Sequence, residues 1–480
     1  MNHNAGWQEL MLGGESVMEG AVPSLEEALK VIEPPQIFRP NEVTAYSNYG
    51  ANLAGYIVEC IAGREFHEYV RENIFTPLGM DHTAMKNGWG DNEWVREQRY
   101  RLNCYTVDLQ DLGSAEYHYE LYASGNAVGT IADLRRFAQA LLPDENGGSP
   151  LFQKRETLTE MASPTSYYSD GRTARNCHGL WVDPVFAGNV VGHSGNTAGC
   201  SSQLVLDYER GIGVVVMTNQ EGEGIYCQDM VYGILGERNF TVEPVMDDPV
   251  TGYYVYSRTA RKGMAASIGS IYVFRLTQEK DGTLSLHGLF AMLAGAGEME
   301  RVGAGLYRLD IAGQKMLLYA RSDETGGIVA LESSLAVDLI RTTAWEYYGN
   351  LSMILLFVLA FTYAMVSLIL ILVRTIRRKQ RGNTVVRISM SLCIIASFIN
   401  WVILFLHGMQ MAGTVAGTRM QGMLFIALAL ISILMIAVQI YRGRRAEASK
   451  RERVGAAVNM AAGFIGTLFV IYWQLWMFWV

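Results

Sequence analysis

The chain has 480 residues, half of them hydrophobic, and a formal net charge of −8. That length exceeds one ordinary domain. The charge is divided: up to Gly349 there are 26 Lys and Arg against 45 Asp and Glu, and beyond it 13 against 2. An acidic body on a basic, apolar tail excludes a nucleic-acid partner. The six cysteines (Cys60, Cys104, Cys177, Cys200, Cys227, Cys393) have no metal-ligand spacing and form no disulfide framework, though a single bridge remains open. No metal and no cofactor is expected.

Residues 1–45 are loop-rich and close on Pro34-Pro35 and Arg39-Pro40, which block helix. A helix is expected from Asn48, with Leu53, Tyr56, Ile57, Cys60 and Ile61 on one face and Gly63 as its stop. A second carries Phe66, Tyr69, Val70 and Ile74 and ends at Thr76-Pro77. A third starts at Thr130, with Asp133 completing a capping pattern, and runs to Leu142. Short strands follow at His178–Val182, Asn189–His193, Ser201–Asp207 and Gly211–Thr218, and predict an antiparallel sheet. Residues 250–345 form a second β-rich block, with hairpin turns at Asp281-Gly282 and Gly326-Gly327.

Four membrane spans are expected in the tail: 351–373, 388–407, 423–441 and 454–480. The first, as a helix, is about 35 Å long, enough to cross the hydrocarbon core. Two connecting loops are basic, one with Arg374, Arg377, Arg378, Lys379, Arg381 and Arg387, the other with Arg442, Arg444, Arg445, Lys450, Arg451 and Arg453. The positive-inside rule places both in the cytoplasm and residues 1–348 outside. An exported domain needs a signal, and Met1–Gly6 has neither a basic start nor an apolar run. The expectation is therefore that the natural chain begins upstream of Met1.

Two tripeptides carry chemistry. Tyr46-Ser47-Asn48 stands before a helix. A phenol serves as a base only beside cations that favour phenolate, and an amide can accept from an amine while donating to a carbonyl. Alone, the tripeptide reads first as a capping turn. The second is His193-Ser194-Gly195, followed by Asn196. His193 can supply charge or a donor, and Ser194 can bond an anionic group. Gly195 lets a ligand backbone lie close, and the N–H near Asn196 can complete an oxyanion site. Alone, it reads equally as a glycine-rich turn.

In order, the chain presents Asn2–Gly6, Tyr46–Asn48, Thr76–Met80, Gly125–Thr130 before a helix, His193–Gly195 on a strand, and a final strand ending Met217-Thr218-Asn219. This ordered set resembles the class C β-lactamase, D-aminopeptidase and esterase family, a branch of the penicillin-binding-protein-like serine hydrolases. The resemblance covers residues 1–235. It implies an α+β β-lactamase/DD-peptidase-like domain over 1–240, lacking its N-terminal part. A small antiparallel β domain over 250–345 and a membrane region of four helices over 349–480 follow, a looser match to membrane-anchored members. It also implies an acyl-serine mechanism with Tyr46 as general base and Asn48 as the substrate- and lysine-binding amide. His193, Ser194 and Gly195 match the third motif, where His193 replaces a more usual Lys and leans toward peptidase or esterase members.

The family's nucleophile, a Ser followed three residues on by Lys, is missing. Thr83 precedes Lys86 at that spacing, but after Thr76–Met80, where the family has a surface segment. Without a nucleophile no acyl-serine forms, and this chain is expected to be inactive as it stands. The resemblance implies a cell-wall peptide or small acyl compound as ligand and the lipid bilayer as partner. The alternatives are a non-catalytic receptor for a wall peptide or β-lactam, and a membrane transport or assembly partner.

Overall fold

The computed structural model describes residues 1–9, 15–16, 23–115, 118–119, 121–295, 297–311, 314–377, 384–409, 415–445 and 449–477. They fall into two compact units. One gathers the opening residues with Gly14–Arg258 and Tyr272–Thr342; the other holds chiefly Thr259–Ile271 and Thr343–Val480.

In the first unit a six-stranded antiparallel meander runs through β1 (Ser166–Tyr167), β2 (Ala174–Asn176), β3 (Trp181–Val182), β4 (Val190–Thr197), β5 (Cys200–Asp207) and β6 (Ile212–Thr218). Strand alternation gives the sheet two apolar faces. Val191, Leu204 and Leu206 pack with Ala138 and Leu141 of the helical segment begun by Ile131–Ala140. Val190, Val205 and Val216 pack with Val231 and Leu235. Helix α1 (Asn48–Ala62) is capped by Ser47, whose hydroxyl accepts from the Gly50 N–H at 3.0 Å, and ends at left-handed Gly63. Its buried residues are Tyr49, Asn52 and Gly55, whereas Ile57 and Ile61 point to solvent. The apolar face expected from periodicity is thus partly the outer one. Close approach of Ala123, 2.9 Å from a Cβ built at Gly55, selects the inner face instead.

The β-rich block closes as an eight-stranded antiparallel barrel: β7 (Gly252–Tyr256), β8 (Val273–Gln278), β9 (Leu284–His287), β10 (Glu298–Gly303), β11 (Leu306–Ile311), β12 (Gln314–Ser322), β13 (Ile328–Ser333) and β14 (Asp338–Thr342). Pairing of Tyr254 with Arg341 and Val255 with Ile340 completes the ring. Eight strands leave an interior that side chains can fill. Tyr254, Phe274, Leu276, Leu318 and Leu331 fill it, each almost wholly buried. Both faces of β12 are apolar because both are used. Met316 and Leu318 point inward, while Leu317 and Tyr319 join the core on the meander's second face. Tyr319 stacks on Tyr168 at 4.1 Å.

The barrel also grips the chain just ahead of α1. Thr44 donates its N–H to Asp338 Oδ2 at 2.8 Å and accepts from the Ser257 hydroxyl at 2.6 Å. Tyr46 donates its N–H to the Ala336 carbonyl at 2.9 Å. Behind this seam the buried Arg175 guanidinium pairs with the buried Asp338 carboxylate and donates to the Ser333 carbonyl at 3.2 Å.

Among the described residues the second unit contains four helices long and apolar enough to cross a membrane: α2 (Ala344–Ile376), α3 (Thr384–Met409), α4 (Val415–Arg445) and α5 (Lys450–Tyr472). Each begins before the span expected for it, because polar end turns extend the helix past its apolar stretch. Thr343 caps α2 through the Glu346 N–H, and Ser449 with Glu452 forms a capping box on α5. The fourth span was expected to reach Val480; helix α5 ends at Tyr472, and Gln474 adopts a left-handed φ of 50° two residues later. Arg378, Lys379 and Arg381 of the first basic loop lie outside the described residues.

Candidate functional site

Tyr46 arrives by the barrel seam, and Asn48 is the first helical residue of α1. The Asn48 carbonyl accepts from Asn52 Nδ2 at 2.7 Å. That fully buried amide also donates to Ser124 Oγ at 2.7 Å and accepts from the Ala123 N–H at 2.8 Å. The start of α1 is therefore locked to the residues that precede Gly125-Asn126.

His193 lies on β4, and its ring centre is 5.9 Å from that of Tyr46. The structure brings these two sequence-predicted residues together. Strand alternation turns His193 and Gly195 to one face, Ser194 and Asn196 to the other. Ser194, Gly195 and Asn196 are exposed along the strand toward the hairpin. A Cβ at Gly195 would lie 2.6 Å from Ser202 Oγ, so the position requires glycine or a shift of that serine. The Asn196 side chain is engaged within the fold: its Oδ1 accepts from Ser201 Oγ and from the Gly222 N–H, both at 2.8 Å. The ligand contact expected at Asn196 is its backbone N–H, which this engagement of Oδ1 does not involve.

Sequence reasoning missed three participants. His3 lies beside the first motif, 4.4 Å from the Tyr46 ring, and stacks on Trp181 at 5.5 Å. Its Nδ1 accepts from the Ser47 N–H at 3.1 Å, so its proton sits on Nε2. The Arg258 guanidinium, just beyond β7, lies 4.9 Å from the centre of the Tyr46 ring and is ion-paired with Glu9. The resemblance of Asn2–Gly6 to a loop near the family's catalytic helix was the one signal that pointed at His3. Nothing in the local sequence pointed at Glu9 or Arg258.

The titration directions follow from burial. His3 is pushed down to about 3, first by burial, then by His193 and other nearby positive charge including Arg258. Burial also lowers His193, whose Nδ1 lies 2.7 Å from the Ser194 carbonyl. Nδ1 therefore carries its proton and Nε2 is the acceptor. Burial raises Tyr46; Arg258 opposes this and Glu9 adds to it. Near neutrality the centre holds a phenol and two uncharged imidazoles, a set of donors and acceptors. Among the described residues no cluster of His, Cys, Asp or Glu could hold a metal ion. Thr83 and Lys86 belong elsewhere: the Thr83 hydroxyl donates to Asp133 at 2.9 Å, and Lys86 pairs with Glu65.

Residues 1–229 match the family model described as Beta-lactamase. They form a β-lactamase-family domain. Penicillin-binding protein 4* of Bacillus subtilis (strain 168) is 25% identical over 252 residues, which are 48% of this chain and 54% of that protein. The mitochondrial serine beta-lactamase-like protein LACTB of Mus musculus is 25% identical over 247 residues, 44% of each. Among solved structures, the crystal structure of SurE with D-Leu aligns over 71% of this chain and 77% of its own, at 16% identity and a TM-score of 0.46. The chain spans about half the length of these curated relatives. The β-lactamase-family match ends before the barrel and the four apolar helices, while the Tyr46 and His193 motifs both lie inside it.

Proposed function

We propose that this chain is a membrane-anchored β-lactamase-related protein of the serine hydrolase type. Its cleft between Tyr46 and His193 accepts an acyl compound, a D-amino-acid peptide of the cell wall or a related ester. The observation that carries the reading is the 5.9 Å approach of Tyr46 to His193, with His3 beside Tyr46. In this reading the Tyr46 hydroxyl donates to a ligand carbonyl, His193 Nε2 accepts from a ligand N–H, and Gly195 gives the ligand backbone room beside β4. Asn48 supplies a further polar contact beside Tyr46. The names of the relatives, which include penicillin-binding proteins and a putative D-alanyl-D-alanine carboxypeptidase, support this choice of ligand class.

The 480 residues hold no Ser-x-x-Lys, and Tyr46 and His193 have no covalent step to assist. This polypeptide by itself binds without turnover. The two basic loops support an orientation with residues 1–348 outside the membrane and the loops in the cytoplasm. Intact-mass spectrometry of the full chain in detergent, after incubation with a penicillin or a D-alanyl ester, tests the chemistry. An unmodified mass and no product above the buffer rate are expected; a covalent acyl adduct would overturn it.

A receptor role is the second reading. It is favoured by a motif pair kept without the nucleophile, joined to four helices that carry a buried polar contact, Asn459 Nδ2 donating to Gln439 Oε1 at 2.8 Å. Buried polar pairs inside spans are costly and mark function more often than chance.

A further inference from the structure

We propose that Cys104 and Cys200 form a reversible disulfide, a modification site that staples loop 103–113 to the hairpin bearing His193–Asn196. The two Sγ atoms are 3.7 Å apart. Bond formation requires about 2.05 Å, a gap that side-chain rotation can close when the backbones are already adjacent. They are adjacent here. Thr197 pairs with Cys200 across the turn Ala198-Gly199, and Gly199 adopts a φ of 69°. A Cβ at Gly199 would stand 2.4 Å from the Cys104 Cβ and 3.4 Å from its Cα, so the turn backbone lies directly on Cys104.

Both partners are held. Cys104 donates its N–H to the Gly113 carbonyl at 2.7 Å and accepts from the Leu112 N–H at 2.8 Å. Next to it, Tyr105 and residues 219–221 exchange two backbone hydrogen bonds of 2.9 Å. Cys200 opens β5. Cys104 is fully buried and Cys200 half-buried, so an oxidant reaches Cys200 first. Burial, then the neighbouring Cys104, pushes the Cys200 thiol up to about 12, which makes the first step slow.

The oxidant is a small disulfide such as oxidised glutathione. The Cys200 thiolate attacks one of its sulfurs, breaks that S–S bond and expels a glutathione thiolate, which takes up the proton Cys200 lost. The Cys104 thiolate then attacks Cys200 Sγ and expels the second glutathione, which takes the second proton. Two protein thiols become one disulfide, and one glutathione disulfide becomes two thiols. The staple bears on the candidate cleft because the loop's exposed Val107 packs at the Gly222 turn, whose N–H donates to Asn196. Oxidation therefore fixes the rim beyond Asn196.

The test is disulfide mapping of the purified full chain in detergent. The reduced protein is exchanged into oxidised glutathione, remaining thiols are alkylated, and the digest is read by mass spectrometry without reduction. The expected result is loss of two of the six thiols and one cross-linked pair, Cys104 with Cys200. Cys200→Ser should then keep Cys104 unmodified. Persistence of all six thiols, or capture of Cys104 by any other partner, would overturn the proposal. The readout counts thiols and does not depend on whether the cleft binds an acyl compound.

Discussion

Arg258 places its guanidinium 4.9 Å from the centre of the Tyr46 ring while its Nε binds the Glu9 carboxylate. A residue next to the barrel thus shapes the first motif of a β-lactamase-family domain. Removing the guanidinium loses the cation–π contact and leaves a mostly buried carboxylate without that ion partner. Arg258→Ala should lower stability by about 1–3 kcal/mol. Arg258→Lys should recover part of this, since lysine keeps the charge but not the planar fork. Thermal unfolding followed by tryptophan fluorescence measures both; equal stability of wild type and the alanine variant would show that the pair is idle.

The Arg175–Asp338 pair makes a larger claim. Both side chains are almost wholly buried, and Asp338 also accepts from the Thr44 N–H. Cutting one partner out of a buried pair costs about 3–5 kcal/mol. Asp338→Ala should reach that range and loosen the barrel from the meander. Limited proteolysis should then cut between 240 and 250 faster than in wild type. Unchanged cutting would mean that the apolar contacts of Leu317 and Tyr319 suffice to hold the two parts.

His3 predicts a pH dependence with a definite sign. Its folded value, about 3, lies below the ordinary 6.5. Between those values the unfolded chain binds a proton that the folded chain refuses, so stability is full above about 6.5 and falls as pH drops toward 3. His193 shifts in the same direction. Melting temperatures at pH 7 and pH 5 should therefore differ more in wild type than in His3→Gln. An equal difference in both proteins would remove His3 from the explanation.

Much of this was readable where hydrogen bonds are local. Ser47 and Gly63 bracket α1, Gly282 and Gly326 take left-handed turns in the barrel, and Thr130 caps its helix through the Asp133 N–H. The clustering of Tyr46 with His193 was legible only through the order of motifs. What the sequence hid depends on long-range packing. The outward face of Ile57 and Ile61 follows from what packs against Gly55. Closure of the barrel needs β7 to meet β14, a pairing of distant segments. His3, Glu9 and Arg258 reach the site from both ends of the first unit, and no local pattern announces such a meeting.

Orientation can be read by protease accessibility in intact cells. Residues 1–342 should be cleaved from outside, and the stretch from Arg442 to Arg453 should be cleaved only after the membrane is opened. The reverse order would invert the topology and place the candidate cleft in the cytoplasm.

The most direct measurement is calorimetric titration of the full chain in lipid nanodiscs with a peptide ending in D-alanyl-D-alanine, beside Tyr46→Phe and His193→Ala. Saturable binding is predicted, weakened about tenfold by either substitution, as expected for the loss of one hydrogen bond to a ligand in a buried site. Absence of binding, or binding that neither substitution changes, would contradict the account.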